Sequence, residues 1–226
     1  MASAIPAVAN VATAAAVTAS YTSPWEQASA VNDGLDPPSS NDGVNRRWGT
    51  WPEQGTQWVQ LEWPNPVRVN ASDIYFFDDG GGVRLPASWK LQYWDGQSFV
   101  DIPATYDVAA DRYVHNDFAG VTTTRMRAVL VGETASVGVL EWQVHNEPST
   151  VEPLRLETRQ GVPPALPATV TRVYADGTRV DSPVTWETVG PARVSRPGRI
   201  TVFGVTNDIP RIVLATVEVR RGGRGG

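Results

Sequence analysis

Three groups of residues in this 226-residue chain could do chemistry: a run of oxygen donors, a scatter of acids and nine tryptophans. The oxygen donors lie in "AVNDGLDPPSSNDG", where Asp33, Asp36, Ser39, Ser40, Asn41 and Asp42 fall among glycines that permit tight turns. A hard cation such as calcium takes roughly six to eight oxygens, many of them backbone carbonyls. The Gly and Glu spacing excludes an EF-hand, and spacing alone supports two readings equally, a calcium loop and an Asx-rich turn. Glu141, in "GVLEWQV", is an acid inside an apolar run. A carboxylate in such a place needs a partner, and a cation is a suitable one.

Catalytic chemistry has less to work with. There are two histidines, His115 and His145, neither near a serine nucleophile elbow, and no HExxH, P-loop or dinucleotide fingerprint is present. A glycosidase needs only two carboxylates, and with 24 acids composition cannot exclude one. Asp78 and Asp79 in "FFDDGGG" are the nominees, but acids in polar loops are mostly solvated. The expectation is that the chain is not an enzyme. The absence of cysteine excludes thiolate catalysis, a disulfide scaffold and Cys-ligated zinc.

Four of the tryptophans crowd into "RRWGTWPEQGTQWVQLEWP". Trp58 and Trp63 sit in alternating runs and Trp48 follows Arg47, so packing accounts for all three. Trp94 leaves its strand's apolar face before a turn and is expected to cover a sandwich edge. Trp25 and Trp51 lie in Gly/Pro-rich loops, where an exposed platform and a packed anchor fit equally well.

The elements that must position these residues are strands. Apolar residues alternate in short runs punctuated by Gly, Pro, Asn and Asp, with almost no helical period. In "TQWVQLEW", Val59, Leu61 and Trp63 share one face; in "SWKLQYWDG", Trp89, Leu91 and Tyr93 do. The polar, proline-bearing "NEPSTVEP" divides the chain, and beyond it Asp176-Gly177 signals a hairpin in a smaller sandwich with one interior tryptophan, Trp186. The expected division is linker 1–11, a sandwich at 12–146, linker 147–153, an immunoglobulin-like domain at 154–220 and a tail at 221–226.

A net charge of −5 and a pI near 5.1 argue against a nucleic-acid surface, and no apolar run approaches a membrane span. The Ala-rich start lacks the cationic region of a signal peptide, and both ends read as linker, as in a piece of a longer protein.

The ordered set "AVNDG", "RWGTW", "QWVQLEW", "SWKLQYWDG" and "GVLEWQVH" resembles the factor five/eight type C (discoidin) domains. Within them it is most similar to the galactose-binding-fold carbohydrate-binding modules of bacterial glycoside hydrolases. "LPATVTRVYADGTRVDSPVTWE" and "GRITVFGVT" resemble bacterial Ig-like domains found beside such modules in secreted actinobacterial enzymes. The resemblance implies an all-β jelly roll followed by an Ig-like sandwich, a monomer, secreted and non-catalytic. It implies a structural Ca2+ held by Asp33, Asp36, Ser39 or Ser40, Asp42 and Glu141. It implies a sugar site in apical loops, for which Trp25, Arg46, Arg47, Trp51, Asp78, Asp79 and Arg84 are the candidates. Sugar C–H faces stack on indoles while guanidinium and carboxylate groups bond vicinal hydroxyls. The usual galactose-binding pattern of the family includes a loop histidine, and none falls in those loops, so the resemblance favours an arabinofuranosyl or other plant-wall side-chain unit over terminal galactose of the common kind. The expected partners are a polysaccharide and the catalytic domain of a parent enzyme. A module that supports a neighbouring catalytic domain without holding glycan is the alternative. Binding to anionic phospholipid, known among discoidin relatives, fits poorly with the acidic pI, although Arg46 and Arg47 form a small basic spot.

Overall fold

The computed structural model describes residues 9–174, 177–208 and 211–221. Val8–Glu147 forms one compact unit and the chain from Pro148 onward another. Both are all-β, a jelly-roll sandwich and then an immunoglobulin-like one, with only short 3-10 turns besides the strands among the described residues.

The first unit runs β1 (Ala16–Ala19), β2 (Trp48–Gly49), β3 (Gly55–Phe76), β4 (Ser88–Trp94), β5 (Phe99–Asp101), β6 (Val114–Gly132) and β7 (Gly138–Asn146), in the order β2-β7-β3-β6-β4-β5 with β1 on β3. β3 and β6 are long because each serves twice. Gly55–Glu62 pairs with β1 and the second half of β6, whereas Val69–Phe76 pairs with the first half of β6 and with β7. The register shifts between Glu62 and Val67, where the sequence reads Pro64-Asn65-Pro66. Proline gives a ladder no N–H, so the pairing breaks there and the strand can turn from one layer to the other.

Between the layers lie the fully buried Trp48, Leu61, Ile74, Phe76, Leu91, Met126, Leu130 and Trp142. The alternating runs place Val59, Leu61 and Trp63 inward, as they do Trp89 and Leu91. Each buried indole N–H finds an acceptor: Trp48 donates to the Tyr21 carbonyl, Trp63 to Val11, Trp89 to Asp107 and Trp142 to the Ser72 hydroxyl. Trp58 departs from the packed assignment. It stays half-exposed, with the Arg127 guanidinium 4.1 Å from its ring centroid.

Two stretches expected as linker are hydrogen-bonded to strands. The chain beside Asn10 enters the sandwich against the end of β7, with Val11 N–H donating to Val144, Asn146 N–H to Ala9, and Asn10 bridging His145. Ser149–Val151 is itself a strand, β8, which pairs with residues Arg172, Val173 and Tyr174. Their backbone groups find ladder partners, which polar and proline-rich composition does not reveal.

The second unit continues with β9 (Leu154–Arg159), β10 (Thr169–Tyr174), β11 (Arg179–Trp186), β12 (Gly198–Thr206) and β13 (Ile212–Arg220), in the order β8-β10-β11-β12-β13-β9. β11 pairs through Pro183 with β10 and from Val184 with β12, so it joins two sheets. Val194, Val202, Ala215, Val217 and Val219 form its core, with Trp186 packed against them. Arg172, 1% exposed, donates to the Ser182 hydroxyl and to the Asp208 carboxylate at 3.0 Å. The hairpin expected at Asp176-Gly177 has its Asp176 outside the described residues.

Candidate functional site

The loops that carry the candidate residues meet at the end of the first sandwich where β7 begins. Thr50 N–H donates to the Val137 carbonyl, Arg84 N–H to Ser136 and Ser136 N–H to Gly82, which ties three loops together. Gln27 N–H donates to the Arg47 carbonyl and adds the fourth.

Trp25 and Trp51 stand on this rim, 73% and 43% exposed, with ring centroids 5.1 Å apart and planes inclined by 52°. Their roles differ. A Cβ on Gly82 would fall 2.4 Å from Trp51 Cδ1, so the loop backbone presses on that indole and only glycine fits. Trp51 is thereby held by the loop backbone on one side, and Trp25 leans on it with most of its own surface exposed. Neither indole N–H has an acceptor among the described residues, unlike those of the core tryptophans.

Beneath Trp25 is a depression of about 270 Å³ lined by Glu26, Gln27, Asn45, Arg46 and Arg47. Arg46 is exposed and donates to Gln27 Oε1 at 2.9 Å, which leaves its charge unneutralised. Arg47 is already committed. It donates to Glu26 at 3.1 Å and to the Asp42 carbonyl at 2.9 Å, and it lies 4.5 Å from the Phe77 centroid. It is a strut more than a ligand hand. Glu26 is 7% exposed, and burial pushes its carboxyl up against the opposing pull of Arg47.

Asp78 and Asp79 line a different depression of about 360 Å³, with Ser39, Ser40, Asn41 and Asp111. Asp78 Oδ1 accepts from Gly80 N–H at 2.8 Å, and Asp79 Oδ1 from Gly81 and Val83 at 2.7 and 3.1 Å. Both carboxylates shape their own loop. Arg84, half-exposed, sits 3.7 Å from Asp78 and lines neither depression, as is true of Trp51. The single site expected from the sequence is therefore split into an indole–guanidinium side and an acidic side. Glu26 and Asp111 are contributors that sequence reasoning missed.

The metal candidates also divide. Glu141 is fully buried; its Oε1 accepts only from Gly34 N–H at 3.3 Å, and its Oε2 has no partner among the described residues. Burial first, then the charges of Asp33 and Asp36, push its carboxyl up to about 8. Tyr113 donates to Asp36 at 2.6 Å, and burial and that carboxylate raise its hydroxyl's pKa. Asp33, Asp36 and Glu141 thus form one acidic corner. Ser40 and Asp42 lie elsewhere in the network. Ser40 and Asp111 exchange two bonds of 2.7 Å, and Asp42 caps Val44 and Asn45. Ser39 donates to Asn41. Among the described residues no three acids or histidines converge closely enough to hold an ion unaided. The orphaned Oε2 and the raised carboxyl nevertheless fit a cation that draws its remaining oxygens from loop carbonyls.

A bent jelly roll whose loops build an aromatic rim is the discoidin, or galactose-binding-like, class of fold. Residues 10–145 match the family described as "Domain of unknown function (DUF7402)", more than half of the chain, and the chain belongs to that family. Residues 151–209 match "Bacterial Ig-like domain (group 4)". Among solved structures the chain is similar to one from the Streptococcus pneumoniae beta-galactosidase BgaA, at 20% identity and TM-score 0.51 over 57% of this chain and 89% of that one. It is also similar to the family 32 carbohydrate-binding module of C. perfringens NanJ, solved with galactose, at 11% identity and TM-score 0.50 over 62% of this chain and all of that one. At these identities the likeness is one of fold.

Proposed function

We propose that the chain is a non-catalytic carbohydrate-binding module with an Ig-like spacer. It would take side-chain sugars of a plant or microbial polysaccharide, arabinose- or galactose-type, at the rim of the first sandwich. The observation that carries this reading is the exposed Trp25 indole, braced by Trp51 over a depression that holds the unneutralised Arg46. An indole face takes the apolar side of a sugar ring while a guanidinium fork bonds its hydroxyls. The depressions are shallow, which suits a terminal or branching residue. Asp78 and Asp79 spend their oxygens on backbone N–H groups, and both histidines pair with Asp73, which supports a non-catalytic reading. The same reading makes this a secreted bacterial module attached to a glycoside hydrolase.

A calcium ion belongs to the proposal. Asp33, Asp36 and Glu141 would hold it with loop carbonyls, and it would fix the loop between Asp33 and Asp42 beneath the rim. Glycan-array and affinity-gel screening of the whole chain tests the sugar claim. Trp25→Ala should weaken binding about tenfold or more, since one stacked ring contributes on the order of 1–2 kcal/mol. Its melting point should stay put, because an exposed side chain holds little of the core. Full affinity in Trp25→Ala, or no glycan bound by the wild type, would overturn the reading.

A further inference from the structure

The second sandwich has its own chemistry at one end. From residue 148 onward the chain carries eleven arginines, no lysine and seven acids, whereas the first 147 residues carry eight basic and seventeen acidic side chains. The acidic total therefore hides a basic unit. Its arginines gather where β9 and β13 end and β12 begins. Arg199, Arg220 and Arg221 line a depression of about 690 Å³, and Arg159, Arg220 and Arg221 line an adjoining one of about 450 Å³. Arg220 and Arg221 line both depressions, so the two together present a groove rich in arginine.

The strand register loads this groove with like charge. β9 and β13 are parallel, with Arg159 directly opposite Arg220 and Glu157 opposite Glu218. Like charges facing across a ladder oppose pairing. Arg220 turns aside to Glu157, and Arg159, Arg199 and Arg221 have no acidic partner among the described residues. An anion lying across the arginines would relieve that opposition.

We propose that this groove binds a carboxylate-bearing polysaccharide, a polyuronide-type chain, independently of the rim of the first sandwich. An all-arginine surface suits it, because the guanidinium fork matches a carboxylate with two parallel bonds. Glu157 and Glu218 decide against nucleic acid and polyphosphate. They put acceptors among the arginines, repelling a uniformly charged polymer but receiving the hydroxyls that a uronide presents between its carboxylates.

The test is native affinity electrophoresis of the whole chain through gels containing polygalacturonate, its methyl ester, dextran or duplex DNA. Polygalacturonate alone should retard the wild type, and the retardation should fade as salt rises. The triple variant Arg159→Gln, Arg199→Gln, Arg221→Gln should lose at least tenfold in affinity while its melting point holds. Trp25→Ala should be retarded as strongly as wild type, which separates this groove from the rim. No retardation by polygalacturonate, equal retardation of the triple variant, or equal retardation by methyl ester or duplex DNA would each overturn the assignment.

Discussion

Glu141→Gln isolates one carboxylate and keeps its shape. In the wild type that group is fully buried, has one oxygen without a partner, and faces two other acids. A cation present at a hundred times its dissociation constant adds about 2.7 kcal/mol to the folded state. For a sandwich of this size that is roughly 8 °C of melting temperature. The amide cannot complete the acidic corner, so the variant should gain under about 2 °C from the same calcium. In chelator the order depends on pH. The Glu141 carboxyl, pushed up to about 8, is mostly protonated at neutral pH, where the Glu141→Gln variant should melt close to the wild type. Above pH 8, where the wild type buries an unpaired charge, the variant should melt higher. Differential scanning calorimetry of both proteins in EDTA, calcium and magnesium reads all of this. Equal wild-type melts in EDTA and calcium, or a variant several degrees less stable in EDTA, would show that the carboxylate is satisfied without an ion.

Gly82→Ala should displace the Trp51 indole and lower glycan affinity severalfold with little change in melting point, seen as a shift in tryptophan emission and a weaker affinity-gel signal. Asp73 joins two histidines, at 2.8 Å to His115 and 2.6 Å to His145. The hydrogen bond that His115 Nδ1 donates to the Asp73 carboxylate raises the His115 pKa, so this contribution to stability is complete below the unfolded value and is lost as pH climbs through the folded one. NMR titration should find the His115 pKa lower in Asp73→Asn than in the wild type, with Asp117 still holding part of the rise. Asp208→Ala removes the carboxylate paired with the buried Arg172 and should destabilise the second sandwich by about 3 kcal/mol in urea denaturation, leaving the first transition in place.

Strand alternation made much of the architecture readable in the sequence. The inward faces of "TQWVQLEW" and "SWKLQYW" follow from period two alone, whereas the bend of β3 at Pro64 and Pro66 emerged only from the pairing register. Alternation says which residues share a face but not what covers it, so Trp58 read as core although Arg127 caps it on the outside. The rim was legible as a set of loops and illegible as a circuit. Arg47 is spent on Glu26, 21 positions away, and Ser40 on Asp111, 71 positions away. Such pairings are products of the closed fold, and no local pattern announces them. The exposure of Trp25 depends likewise on Gly82 bracing Trp51 from a third loop. Like charge opposed across β9 and β13 needed the parallel register, which sequence spacing does not supply.

The chain enters and leaves the first sandwich side by side, with Asn10 bridging His145, while β7 starts at the opposite end with Gly138 beside the rim. Tension transmitted through the backbone would act across the short bridge between residues 9–11 and 144–146 and open it like a zip. The rim loops, a full strand length away, would bear no load until that bridge had opened. Loops placed this way keep their geometry up to the moment the bridge fails.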